Sequence, residues 1–203
     1  KRLYFKKRWN AKKIKRAYSD LMREQDIHSP HRYLTGSFTI EKDDVLADIG
    51  AAEGNFSLSV IEKINKAYIF EYDREWIEAL RATFAPWSEK VEIINKYVAD
   101  YNDESHIRFD TFFENIKDVT FLKIDVDGAE SIVLNSCDEV FKASGSFKVA
   151  LCTYHKHNDE KDFTSLLKDR GFSVTPSRGY MINYYDKKIK APYLRRGLIR
   201  AVK

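Results

Sequence analysis

The sequence predicts a doubly wound α/β domain, a mostly parallel sheet with helices on both faces, and two observations predict it. From residue 45 onward, short apolar β-rich runs alternate with segments of helical periodicity, the pattern of buried parallel strands joined by right-handed helical crossovers. At the C-terminus the alternation stops. Two strand-like runs follow one another there with no helix between them, which predicts an antiparallel hairpin at the end of the sheet.

Taken in order, "VLADI" (45–49) is the first strand, "NFSLSVIEKIN" (55–65) a helix, "AYIFEY" (67–72) a strand, "REWIEALRATF" (74–84) a helix and "VEIINKYV" (91–98) a strand. The second half repeats the theme. It has the strand "VTFLKIDV" (119–126), the helix "AESIVLNSCDEVF" (129–141), the strand "FKVALCTYH" (147–155) and the helix "EKDFTSLLKDRGF" (160–172), which Gly171 stops. The hairpin is "FSVTPSRGYMINYY" (172–185) and "RRGLIRAVK" (195–203) around a polar, proline-containing loop. Residues 1–44 lack this grammar. They read as one basic helix up to about Gln25 and the loop "DIHSPHRYLTGSF", a cap on the single domain of residues 45–203.

A chain of 203 residues with 43% hydrophobic and 14% aromatic content has a full core for one domain, which excludes long disorder. The net charge is only +4, and the basic excess sits in "KRLYFKKRWNAKKIKR" and "DKKIKAPYLRRGLIR". Such a start could touch nucleic acid or an anionic membrane surface, with a solvated helix face as the plainer reading. Cys137 and Cys152 have neither metal-ligand nor redox spacing and fit a reducing compartment. No apolar run approaches the ~20 residues of a spanning helix, and no signal-peptide pattern opens the chain. These features predict a cytoplasmic protein.

The turn after the first strand, within "LADIGAAEGNF", is where open parallel sheets bind ligands. A dinucleotide fingerprint needs a middle glycine, and Gly50-Ala51-Ala52-Glu53-Gly54 lacks it. Glu53 would also repel a diphosphate at the following helix N-terminus. A ligand with a cationic sulfur, an ammonium and one carboxylate fits better, and S-adenosylmethionine (SAM) has these groups. Asp48 would meet the ammonium, and the backbone of Gly50 and Gly54 would let the ligand lie against the turn, which also holds Ala51 and Asn55. Glu71, followed by Tyr72, ends the next strand where an acid grips ribose hydroxyls, with Asp73 in reserve. Either acid could instead open a helix. Asp100, after the third strand, could accept from an adenine amino group or be an ordinary loop aspartate.

"DIGAAEGNFSL", "FEYD", "FLKIDVDGAE" and "CTYHKHNDEKDFTSLLKDRGF", in this order, resemble the FkbM family of SAM-dependent methyltransferases over roughly residues 29–200. The resemblance implies a class I methyltransferase, Rossmann-like fold with a seven-stranded sheet whose last strand is inserted antiparallel. It also implies O-methylation of a sugar, glycan precursor or related hydroxylated metabolite, as in polysaccharide biosynthesis. Matched by position, Asp48, Gly50 and Gly54 correspond to the SAM turn and Glu71 to the acid of the second strand. The chain departs from the family in Tyr72, often proline, and in Asp127, often glutamate and here shorter in reach.

Methyl transfer to a hydroxyl needs alignment, exclusion of water and help in removing a proton. His155, directly after "VALCTY", is the candidate general base, with Asp125 beside it to orient either the histidine or the acceptor. Asp127, Glu130, His157, Arg178 and the loop residues His31, Arg32 and Tyr33 are candidate acceptor contacts. Asp125, Asp127, Glu130 and a histidine could also hold magnesium or calcium, but no metal is assigned. Two rivals remain. A nucleotide-dependent oxidoreductase is disfavoured by the missing glycine. An RNA-binding protein or RNA methyltransferase using the basic helix is disfavoured by the carboxylates of the inferred cleft.

Overall fold

The computed structural model describes residues 1–142, 145–183 and 186–203. Its main sheet has seven strands: β1 (Val45–Ile49), β2 (Lys66–Phe70), β3 (Val91–Ile94), β6 (Phe121–Ile124), β7 (Lys148–Cys152), β8 (Ser173–Pro176) and β9 (Leu198–Val202). Their order is β3-β2-β1-β6-β7-β9-β8, with β9 inserted antiparallel between β7 and β8 and the other neighbours parallel. The chain winds outward from β1 to β3 and then crosses to β6 on the other side of β1. The switch point therefore falls between β1 and β6, where open α/β sheets bind ligands.

Alternation along the strands divides the core in two. Val45, Ala47, Ile49, Leu122, Ile124, Val149 and Leu151 point to one face, and Leu46, Phe121, Ala150 and Cys152 point to the other. Asp48, Lys123 and Asp125 share the parity of the second face. Asp48 and Lys123 are also register partners across β1 and β6, so a buried acid and a buried base meet by construction of the sheet. That face is covered by Tyr33, Phe38, Ile40 and by α2 (Asn55–Val60) and α3 (Arg74–Phe84).

Several elements differ from their predicted extents. The first ten residues are irregular and lie along α2 and α3. Tyr4 N donates to Thr83 Oγ1 (3.0 Å), Lys6 pairs with Asp73, and Trp9 meets Trp76 edge-on at 5.2 Å. Helix α1 is Ala11–Glu24, capped by Asn10 Oδ1 accepting from Lys13 N at 2.9 Å. Helix α2 stops at Val60, because Ile61 and Ile64 turn into the core on the way to β2. The predicted 91–98 strand breaks at Asn95, whose amide donates to the carbonyls of Glu71 and Tyr72 (both 3.0 Å).

Beyond that break, β4 (Tyr97–Val98), the end of the predicted run, pairs with β5 (His106–Ile107) in a separate small sheet, followed by α4 (Phe109–Ile116); sequence periodicity missed β5 and α4. The predicted 129–141 helix is two, α5 (Glu130–Asn135) and α6 (Asp138–Lys142). Buried Asp110 of α4 accepts from Glu139 N (2.9 Å) and Val140 N (3.2 Å), capping α6 as a separate helix. Helix α7 is Asp159–Asp169, and Gly171 beyond it has φ +86°. The predicted hairpin forms, but only Ser173–Pro176 of its first arm is strand; Tyr184 and Tyr185 lie outside the described residues. No helix among the described residues is long and apolar enough to cross a membrane.

Candidate active site

A cavity of about 770 Å³ opens beyond the carboxyl ends of β1, β2 and β6, within the range usual for small-molecule sites. Its wall begins at the β1–α2 turn. Gly50 has φ +76°, and a Cβ on it would lie 2.0 Å from the Asp125 carbonyl oxygen. Only glycine lets the turn lie this close to the end of β6. Ala51, Glu53 and Asn55 line the cavity beside it.

Two predicted members of the turn do not. Gly54 faces α3, where a Cβ would meet Leu80 and Phe84, so this glycine serves helix packing. Asp48 is fully buried beneath the turn. Lys123 Nζ lies 3.0 Å from its Oδ1, and Ser57 Oγ donates to its Oδ2 at 2.7 Å. With its charge matched inside the sheet, Asp48 is not available to a ligand ammonium. Lys123 also donates to the Gly50 carbonyl (2.7 Å), tying the turn to β6, and the surrounding carboxylates raise its pKa despite the opposing effect of burial. It lines the cavity, yet sequence reasoning missed it. The available signal was a lysine inside an otherwise apolar buried strand.

The acid better placed for a cation is Glu53. Burial lifts its carboxyl to about 7, only partly offset by backbone N–H groups of Glu53 and Asn55 and by the charge of Lys123. Glu71 also lines the cavity. Its Oε2 accepts from Ala52 N (2.9 Å) and its Oε1 from Tyr72 N and Asp73 N (both 2.8 Å), so the carboxylate is fixed by backbone from both strand ends. Asp73, the reserve, caps α3 by accepting from Glu75 N (2.8 Å) and pairs with Lys6. Tyr72 stands at the edge, stacked on Tyr97 with centroids 4.0 Å apart. Asp100 is exposed and outside the lining; its carbonyl accepts from Arg108 (2.7 Å), and Val98 takes the wall position expected of it.

The opposite wall centres on Asp125. Its Oδ2 accepts from the Tyr33 hydroxyl (2.8 Å) and lies 3.4 Å from His31 Nε2, and its Oδ1 accepts from the Tyr154 hydroxyl (3.3 Å). Burial would raise its pKa, but His31, Lys123 and His155 outweigh that and hold the carboxyl ionised, well below the usual range. Burial and the same carboxylate push the hydroxyls of Tyr33 and Tyr154 upward, keeping both as donors. His31 and Tyr33 reach this wall from the loop after α1, as expected; Tyr154 was not among the candidates.

His155 does not fit the role of a general base. Its Nδ1 lies 2.8 Å from Glu130 Oε1, and its Nε2 lies 3.6 Å from Asp127 and 3.8 Å from Asp125. Burial alone would lower its pKa; the neighbouring carboxylates of Asp127, Glu130 and Asp125, which favour the protonated ring, raise it to about 10. At neutral pH the ring carries a proton and has no free pair to accept another.

Glu130 is buried behind the wall, where its Oε1 also accepts from Val126 N (3.0 Å) and Gly128 N (3.3 Å), so it shapes the loop rather than touching an acceptor. The ligand atoms of Asp125, Glu130 and His155 lie within 4.8 Å of one another; a cation there would have to displace the imidazolium proton. Asp127 does line the cavity. Arg32 does not: it donates to Leu34 O (2.8 Å) and Gln25 O (3.0 Å), folding the loop against α1. His157 and Arg178 are exposed and lie outside the lining.

Known proteins agree with this architecture. Residues 79–174 match the family described as the methyltransferase FkbM domain. The FkbM methyltransferase structure from Methylobacillus flagellatus superposes with a TM-score of 0.64 at 16% identity over 83% of this chain. This chain spans 46% of that one. Precorrin-6y C5,15-methyltransferase from Geobacter metallireducens gives 0.54 at 13% identity, covering 99% and 95% of the two chains. A Streptococcus mutans protein in complex with SAH gives 0.51 at 13% identity, covering 92% and 96%. No curated protein matches. At these identities the superpositions speak for the class I methyltransferase fold alone. The family match, from α3 to β8, covers just under half of the chain and marks that stretch as similar to the FkbM methyltransferase domain.

Proposed function

We propose that the protein transfers a methyl group from SAM to a hydroxyl of a sugar, a glycan precursor or a related hydroxylated metabolite, with residues 1–44 capping a methyltransferase domain of residues 45–203. The supporting observation is the division of one cavity into two chemically different walls. Glu71 and the Gly50–Asn55 turn suit a nucleoside with an amino-acid tail; Asp125, Tyr33, Tyr154 and His31 form a dense hydrogen-bonding wall opposite. The residues present fit SAM. Glu53 is a half-buried carboxyl short of positive charge, Glu71 offers a fixed carboxylate, and the Gly50 turn presents backbone that a side chain would block.

When bound, SAM would supply a methyl carbon on a sulfonium, open to in-line attack by an acceptor oxygen with a neutral thioether as the leaving group. Asp125, held ionised, orients the acceptor hydroxyl and stabilises the positive charge that develops on its oxygen; the proton passes along that hydrogen bond to the Asp125 carboxylate, which releases it to water. Tyr33 and Tyr154 hold Asp125 in place. His155 stays protonated and balances the carboxylates of Asp125, Asp127 and Glu130. Lys123 anchors the turn to the strand that carries Asp125.

Calorimetric titration with S-adenosylhomocysteine tests the cofactor wall. We expect micromolar binding that Glu71→Ala weakens by on the order of 10²-fold, about 3 kcal/mol for a charged hydrogen-bonding partner. Absence of binding in the folded parent would overturn the reading. With binding established, transfer of labelled methyl to a panel of glycosides and hydroxylated metabolites identifies the acceptor. Transfer to amines or nucleic acid, and not to hydroxyls, would reject the acceptor class.

A further inference from the structure

We propose that helix α1 docks the protein on an anionic lipid surface, inserting Tyr18 and Met22 between headgroups while its basic stripe meets their charge. The inference is independent of the methyl-transfer reading and starts from where the positive charge is left over. The first 25 residues hold ten Lys and Arg against two acids. In residues 1–8 much of that charge is spent within the fold: Lys1 pairs with Glu62 (3.3 Å), Lys6 with Asp73, Lys7 with Glu78 (3.0 Å) and Arg8 with Glu75 (2.7 Å). On α1 itself, among the described residues, Lys12, Lys15 and Arg16 have no acidic partner; only Arg23 pairs, with Asp20 in its own helix (3.3 Å).

The helix buries none of its fourteen residues. Ile14, Ala17, Asp20 and Leu21 are its half-buried side, turned toward the domain. At 100° per residue, the next sector outward carries Tyr18 and Met22, one turn apart and 48% and 45% exposed, and the sector beyond it carries Lys12, Lys15, Arg16 and Arg23. An exposed apolar edge flanked by unpaired cations is the pattern of an interfacial helix. Ile27, 72% exposed in the following turn, adds apolar surface at the same end. A phosphodiester backbone would use the cations but gain nothing from Met22 or Ile27. Toward the cavity it would also meet Glu24, Glu71 and Asp127, whereas a lipid surface needs only the helix.

The test is co-sedimentation of the full chain with vesicles of phosphatidylcholine alone, or mixed with about one third phosphatidylglycerol, at about 0.15 M salt. The parent should sediment only with the anionic vesicles. Lys12→Glu/Lys15→Glu/Arg16→Glu should cut partitioning by on the order of 10²-fold, and Tyr18→Ser/Met22→Ser by on the order of tenfold, since the second pair removes insertion and leaves charge intact. All five positions are exposed, so the thermal midpoints should match the parent. If one variant melts early, the other still decides. The proposal is overturned if the parent shows no preference for anionic vesicles. It is equally overturned if Tyr18→Ser/Met22→Ser partitions like the parent, or if mixed-sequence single-stranded RNA strips the protein from the vesicles and binds that variant undiminished.

Discussion

The two walls of the cavity are built by different means. On the cofactor wall, main chain does most of the holding: Glu71 is fixed by three backbone N–H groups and Gly50 by its contact with the end of β6. On the acceptor wall side chains hold side chains, and Asp125 gathers Tyr33, Tyr154, His31 and His155 from two other parts of the chain. A backbone-built wall keeps its shape when a side chain changes. A wall of interlocked charges does not, because removing one member leaves the others buried and unpaired. The acceptor wall should therefore be the more sensitive to conservative substitution.

Lys123 belongs to both walls, and its loss should have the largest effect. Lys123→Met keeps the volume but leaves Asp48 fully buried beside a single hydroxyl donor and frees the Gly50 carbonyl. Breaking a buried pair on one side costs about 3–5 kcal/mol, so chemical denaturation should show a loss of that order. The double variant Lys123→Met/Asp48→Asn should recover part of it, since the uncompensated charge is gone. If Lys123→Met alone were as stable as the parent, the pair would not be what joins the walls.

The same contrast explains what was legible in the sequence. The wall proposed for the cofactor lies in two short segments, 50–55 and 71–73, where spacing after a strand points to a ligand site. Even so, the structure turns Asp48 toward Lys123, by strand register, and Gly54 toward Leu80 of α3, away from the cavity. The acceptor wall joins residues 31, 33, 125 and 154, and no local pattern announces which side chains will meet. His155 looked like a base because it follows an apolar strand; the sequence brought Asp125, Asp127 and Glu130 to the same region, but the short distances that keep the ring charged are visible only in three dimensions. The parallel strands and the terminal hairpin followed from periodicity, whereas the order of the strands in the sheet did not. Helix α4 was passed over, although its phenylalanines recur on one face and pack under β2.

A milder substitution sharpens the comparison. Tyr33→Phe removes the 2.8 Å hydrogen bond to Asp125 and nothing from the cofactor wall. The turnover number should fall by about 10- to 100-fold, equivalent to ~1.4–2.8 kcal/mol, with the affinity for S-adenosylhomocysteine unchanged. Tyr154→Phe, whose bond is 3.3 Å, should cost less. Parallel losses of turnover and of S-adenosylhomocysteine binding in Tyr33→Phe would mean that the two walls are mechanically one.

The smallest expected effect isolates charge on the cofactor wall. Glu53 titrates near 7 because burial disfavours its anion, and only the ionised form attracts a ligand ammonium. Its pKa is raised, so the carboxylate is scarce at pH 5.5 and predominant by pH 7.5. Affinity for S-adenosylhomocysteine should therefore rise with pH across that interval, by on the order of tenfold. Glu53→Gln should hold the lower affinity throughout and flatten the profile. Asp48→Asn should leave the slope intact, because Asp48 answers to Lys123 and not to the ligand. A pH slope that followed Asp48 and ignored Glu53 would return the ammonium site to the strand end and remove the electrostatic distinction between the buried pair and the cavity.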